Sequence, residues 1–176
     1  MAFDLKSISS TQRQRALFGL VFGTSGVGKT TFASDAPNAV FIPTEDGSGS
    51  LTLQAFPIAK SYDDVMSAIE ALCGKHDYKT VVIDSLDHLE PLIWKKVCED
   101  NNVKSIEQLT YGKGYVMALD LWRDLLSGLR FVRDNQGMNV LLIAHHQIRK
   151  HSDPEMEQID RYEICLLYTS PSPRDS

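Results

Sequence analysis

The run ALFGLVFGTSGVGKTT (Ala16–Thr31) decides the fold, because an apolar segment opens directly into a glycine-rich turn that ends in a lysine and two threonines. Ala16–Phe22 is apolar at consecutive positions, as in a short parallel strand covered on both faces. Gly23–Thr31 fits the spacing G-x-x-x-x-G-K-[ST], with Gly23, Gly28, Lys29 and Thr30 at the fixed positions. Each residue type has a physical task. Glycines let the backbone wrap closely enough for successive N–H groups to face a β-phosphate. A helix starting near Gly28 adds its N-terminal partial positive charge. Lys29 supplies a full charge to the β/γ oxygens, and the Thr30 hydroxyl ligates Mg²⁺. The candidate phosphate-binding residues are therefore Gly23, Thr24, Ser25, Gly26, Val27, Gly28, Lys29, Thr30 and Thr31. A chance glycine-rich turn is the ordinary alternative. The setting between an apolar strand and a helix favours phosphate.

Working outward, three more runs look like the first: NAVFIP (Asn38–Pro43), KTVVID (Lys79–Asp84) and NVLLIAHH (Asn139–His146). Helical patterns lie between them. SYDDVMSAIEALCG (Ser61–Gly74) has Ser61 as N-cap, Asp64 in the capping-box position, an apolar face of Val65, Ala68, Ile69 and Leu72, and Gly74 as its stop. Leu86, Leu89, Ile93, Trp94 and Val97 make a second stripe. The third and longest runs from Tyr115 to Val132, and both tryptophans are expected to pack in the core. Strand–helix alternation of this kind predicts an α/β fold with a mostly parallel sheet flanked by helices.

Bulk properties exclude more than they select. The chain has 176 residues and a net charge of −5, so it is one domain by length and carries no global basic footprint. Cys73, Cys98 and Cys165 form no CxxC pair or metal spacing, which suits a reducing cytoplasm. No apolar run approaches the ~18 residues of a membrane span, so no membrane partner and a cytoplasmic location are expected.

TVVIDS (Thr80–Ser85) has the form of a strand whose terminal carboxylate, Asp84, holds Mg²⁺ beside a bound nucleotide. No glutamate follows Asp84-Ser85, and Asp87 and Glu90 read as first-turn helix acids. The missing base directs attention to FIPTED (Phe41–Asp46), an apolar strand that delivers Glu45 and Asp46 to its tip. On alternation their side chains should point to opposite sides. A solvated loop is the ordinary alternative.

On these motifs the chain resembles the RecA-like P-loop ATPases. FIPTED is similar to their strand ending in a glutamate that polarises water, and VVIDSLDHL to their Mg²⁺-binding strand and following helix. LLIAHHQIR (Leu141–Arg149) is similar to their γ-phosphate-sensing strand. With YGKGY (Tyr111–Tyr115) and IAHHQIRK added, the pattern resembles AAA-domain nucleotide-binding proteins of bacteriophages that act in recombination or single-strand annealing, over most of Leu17–Ile164. The resemblance implies ATP and Mg²⁺ as cofactors, Glu45 and Lys29 as catalytic residues, and His145 or Gln147 as the sensor. It further implies single-stranded DNA as partner, and it admits a homo-oligomer and location in the host cytoplasm. HHQIRKH (His145–His151) is the compact basic segment, in which Arg149 and Lys150 would contact DNA phosphates or a neighbouring subunit, with a solvated loop the equal alternative. The glycines of YGKGY read as a turn before the long helix, with a flexible substrate contact the alternative.

The expected organisation is an N-terminal arm over 1–15 and a RecA-like core over 16–164, incomplete at its C-terminus. The tail over 165–176, CLLYTSPSPRDS, reads as a translated transposase sequencing-library adapter. In the RecA-like arrangement a strand from beyond residue 164 would flank the first strand. Two other classes stay open: a P-loop kinase for a small molecule or nucleotide, and a nucleotide-dependent binding module that barely hydrolyses.

Overall fold

The computed structural model describes residues 15–47, 49, 51–151 and 159–164, of which 147–151 and 159–164 are described as backbone. Residues 1–14 of the N-terminal arm expected over 1–15, and the tail over 165–176, lie outside the described residues. Four strands run parallel: β1 (Phe18–Gly23), β2 (Ala39–Pro43), β3 (Thr80–Asp84) and β4 (Asn139–His151), in the order β1-β4-β3-β2. A fifth, β5 (Ile159–Ile164), pairs antiparallel with the far half of β4. The α/β, mostly parallel architecture expected from the alternation is the one observed. The intervening helices are α1 (Lys29–Ser34), α2 (Tyr62–Ala71), α3 (Leu86–Asp100) and α4 (Lys113–Gln136).

Alternation along the strands builds two unequal layers. Val40 and Ile42 of β2, Val81 and Ile83 of β3, and Val140, Leu142 and Ala144 of β4 face α2, α3 and α4 in the main core. Phe41, Val82, Leu141 and Ile143 face the other way, against Ala33 of α1 and, more loosely, Leu53. β2, β3 and the first half of β4 are thus buried on both sides, as their continuous apolar sequences require. β1 is not. It has no partner along its outer edge among the described residues, and Leu20 and Phe22 are 41% and 53% exposed. The helices of the main layer reach β4 and stop short, which corrects the expectation of a first strand covered on both faces.

The helix starts and stops follow local chemistry. Ser61 Oγ accepts from the Asp64 N–H and Asp64 accepts from the Ser61 N–H, the reciprocal cap expected from the sequence. The helix ends at Ala71, before Gly74. Gly112 caps α4 with a left-handed φ of 69°, so the turn expected of YGKGY is present. Trp94 and Trp122 pack against the main core, as expected. On the outer side of β2, Phe41 N–H donates to the Gln54 carbonyl and Phe56 N–H to the Phe41 carbonyl, so the segment after residue 53 closes that edge.

One correction concerns HHQIRKH. It is neither a strand tip nor a loop, because β4 continues through His151 and pairs residue by residue with β5 from His146↔Ile164 to His151↔Ile159. The side chains of Gln147, Arg149 and Lys150 lie outside the described residues.

Candidate active site

The strand register brings the ends of four elements to one sheet edge. Pro43 pairs with Asp84, Asp84 with Ile143, and Gly23 with His145. The carboxyl ends of parallel strands are where α/β sheets leave a crevice, and a cavity of about 340 Å³ lies there. Lys29, Thr30, Glu45, Asp84 and His145 all line it, together with Ser25, Gly26, Gly28 and Thr31 of the glycine-rich turn. Distant parts of the chain therefore meet at one cavity.

The turn itself is open. Thr24 to Gly28 are exposed, and Gly28 precedes α1 with φ 94°, a left-handed conformation that favours glycine. Phe32 N–H donates to the Gly28 carbonyl at 2.8 Å, closing the first helical turn. Lys29 is buried, only 7% exposed, and its Nζ donates to the carbonyls of Gly23 (3.0 Å) and Thr24 (2.9 Å). The ammonium is thus held over the loop, where it can exchange carbonyl partners for phosphate oxygens. Thr30 Oγ1 donates to Asp84 Oδ2 at 2.7 Å, tying α1 to the end of β3. Burial pushes the Asp84 carboxyl above its usual range; the Thr30 hydrogen bond works against this, and the Glu45 charge adds to it. A buried carboxylate beside a hydroxyl, both oxygen donors, fits a hard divalent cation such as Mg²⁺. A bound cation would remove the cost of keeping Asp84 charged.

Glu45 lies beyond the end of β2, and the alternation argument that set it apart from Asp46 does not apply there. β2 stops at Pro43 and the chain bends over Thr44–Asp46, so Glu45 and Asp46 both line a neighbouring cavity of about 290 Å³. They differ in burial and partners: Asp46 is exposed, whereas Glu45 Oε1 accepts from Ser85 Oγ at 2.8 Å and stands 3.2 Å from His88 Nδ1. Thr44 fixes this bend, since its Oγ1 donates to the Ser85 carbonyl (2.7 Å) and accepts from the Ser85 N–H (2.8 Å). The Asp84–Ser85 peptide is cis.

Asp87 is in the first turn of α3, as expected, but it is not a solvated helix acid. Its Oδ1 accepts from the His145 N–H at 2.9 Å and its Oδ2 lies 2.8 Å from His145 Nδ1. Burial raises the Asp87 pKa, yet the hydrogen bonds from the His145 backbone and ring outweigh it and hold the carboxyl below its usual range. Glu90, read the same way, is buried. His145, one of the two candidate sensors, is therefore oriented from behind by Asp87 while it lines the cavity. Ser85 and His88 were not singled out from the sequence, and Asp87 was read there as a helix acid only. The available signal was their place at a strand-to-helix junction, where Ser85 and His88 fall three residues apart on one face.

No helix among the described residues is long and apolar enough to cross a membrane. A protein-family model described as an AAA domain matches residues 15–167. No curated protein matches the chain.

Proposed function

Because the chain belongs to the AAA-domain family of P-loop ATPase-type proteins, we propose that it binds MgATP at the cavity between the glycine-rich turn and Asp84 and hydrolyses it. The observation that carries this is the convergence of Lys29, Thr30, Asp84 and Glu45 on one cavity, with Thr30 and Asp84 in direct contact at 2.7 Å. Lys29 and the backbone N–H groups of the turn hold the β- and γ-phosphates; Thr30 and Asp84 hold Mg²⁺, which neutralises charge on the phosphate oxygens. Glu45 accepts a hydrogen bond from the attacking water, and orientation of that nucleophile is its main contribution. His145 meets the γ-phosphate, and its ring position is set by Asp87. Gln147 lies two residues further along β4.

The finer reading is a RecA-like ATPase of bacteriophage type, in the host cytoplasm, coupling turnover to single-stranded DNA in recombination. Support for it is the resemblance of the motifs, and Arg149 and Lys150 are the residues assigned to DNA or to a neighbouring subunit. A second reading has one observation in its favour. The 290 Å³ cavity opens on Thr30, Glu45 and Asp84 and is walled by Phe41, Leu53, Phe56 and Ile58, as an acceptor pocket of a small-molecule kinase would be. Phosphate release from ATP, measured with and without single-stranded DNA and against a panel of hydroxyl-bearing acceptors, separates these. Stimulation by DNA supports the recombination reading; transfer to an acceptor supports the kinase; ATP binding without either product leaves a binding module.

A further inference from the structure

Behind the phosphate cavity, one imidazole nitrogen stands among three side-chain oxygens. His88 Nδ1 lies 2.9 Å from Ser85 Oγ, 3.2 Å from Glu45 Oε1 and 3.2 Å from Asp87 Oδ2. A neutral imidazole carries one N–H, so at most one of these oxygens receives it fully. Asp87 Oδ2 also meets His145 Nδ1 at 2.8 Å, and the rings of His88 and His145 stand edge to face, 6.2 Å between centroids. Glu45, His88 and His145 each offer a ligand atom within 4.8 Å of the others.

This donor set differs from that of Thr30 and Asp84. Two imidazoles and one carboxylate suit borderline divalent ions of the zinc class, whereas hydroxyl and carboxylate oxygens suit Mg²⁺. Ligands at ~2.1 Å from a tetrahedral ion stand ~3.4 Å apart, so atoms that lie within 4.8 Å of one another reach it once their side chains draw in by about 1 Å. For His145, Asp87 supplies what a metal-binding histidine ordinarily has behind it, a carboxylate on the ring nitrogen away from the metal. The cluster is accessible: the side chains of His88 and Glu45 are 47% and 26% exposed.

We propose that Glu45, His88 and His145 form a site for a zinc-class divalent metal ion, distinct from the Thr30–Asp84 magnesium position, with Asp87 orienting His145. The regulatory consequence rests on the hydrolase reading above. A metal on Glu45 and His145 withdraws the carboxylate from the attacking water and the imidazole from the γ-phosphate, so the occupied protein turns ATP over slowly.

The test uses the full chain free of nucleotide and Mg²⁺, titrated with Co²⁺ by visible absorption and with Zn²⁺ by calorimetry. One equivalent should bind, with a d–d band of a four- or five-coordinate ion. His88→Ala should weaken binding at least tenfold, and Asp87→Asn by about 10- to 100-fold, the usual effect of losing such a supporting carboxylate. His88 is half exposed, so its variant should fold, and far-ultraviolet circular dichroism checks this. Unchanged affinity in both variants overturns the proposal. Added Zn²⁺ should also suppress turnover in saturating MgATP, reversibly on chelation. A chain that binds Co²⁺ in this way but releases no phosphate sinks the hydrolase reading alone. A chain that hydrolyses ATP but binds Co²⁺ equally with and without His88 and Asp87 sinks only the metal site.

Discussion

The Ser85 hydroxyl donates to Glu45 Oε1 over 2.8 Å, so the residue that follows Asp84, the proposed magnesium ligand, also holds the carboxylate proposed to orient the attacking water. The two chemical roles are thereby fixed relative to each other across the β2–β3 pair. Glu45→Gln keeps size and reach and loses the charge. ATP affinity should stay within a few-fold while turnover falls roughly 10²-fold or more, the scale of a general-base group. Asp46→Asn, at an exposed position in the same bend, should change turnover little. Single-turnover phosphate release on both variants checks this, and a swap of effects would show that the catalytic carboxylate had been misassigned.

Lys29 makes its folded-state hydrogen bonds to the carbonyls of Gly23 and Thr24, groups that a bound phosphate would replace as partners. Lys29→Met retains the buried stem and removes the charge. MgATP affinity should drop by roughly 10- to 100-fold, the value of a hydrogen bond to a charged group. Titration with a fluorescent ATP analogue measures the loss, and an unaltered affinity would remove the phosphate site from the glycine-rich turn.

Gly114 is required by a close approach and not by its backbone angles. A Cβ there would lie 2.5 Å from Ile106 Cγ1 and 2.9 Å from the Ile106 carbonyl oxygen. Gly114→Ala should destabilise by about 1–3 kcal/mol through overpacking, lowering Tm by about 2–10 °C in a chain of this length. Scanning calorimetry reads the shift directly. An unchanged Tm would mean that the 3₁₀ turn carrying Ile106 moves aside at no cost.

Tyr62 is 5% exposed and its hydroxyl donates to the Leu121 carbonyl at 2.9 Å. Burial, with the charges of Asp124 and Asp63, pushes its pKa up to about 12. The folded state therefore prefers the protonated phenol more than the unfolded state does. That preference contributes fully below the ordinary value near 10 and is lost as pH rises toward 12. Urea unfolding at pH 9 and at pH 11 should show a fall in stability that Tyr62→Phe makes shallower. At pH 7 the same substitution should cost about 1 kcal/mol through the hydrogen bond. Equal pH slopes for the two proteins would place the alkaline loss elsewhere.

From the sequence alone, the glycine-rich turn after β1, the four apolar parallel strands, the Ser61 cap and the three long helices were all legible. Each is written in neighbouring residues: a fixed spacing, a run of consecutive apolar positions, or a 3.6-residue stripe. The candidacy of Lys29, Thr30 and Asp84 was legible for the same reason. What only the tertiary structure decided depends on which strand ends stand next to one another. Strand alternation was expected to separate Glu45 from Asp46, but it is the bend after Pro43, held by the Thr44–Ser85 hydrogen bonds, that places one against Ser85 and leaves the other exposed. Asp87 carries the local signature of a helix-start acid, yet its partner is His145, 58 residues away, brought beside it by the β3–β4 pairing. The exposed face of β1 was hidden too, because an apolar strand has the same sequence whether helices cover both faces or stop one strand short. Local periodicity records the secondary structure and the direction of each side chain. It carries no record of sheet order, and sheet order determines which carboxylates, histidines and hydroxyls share a site.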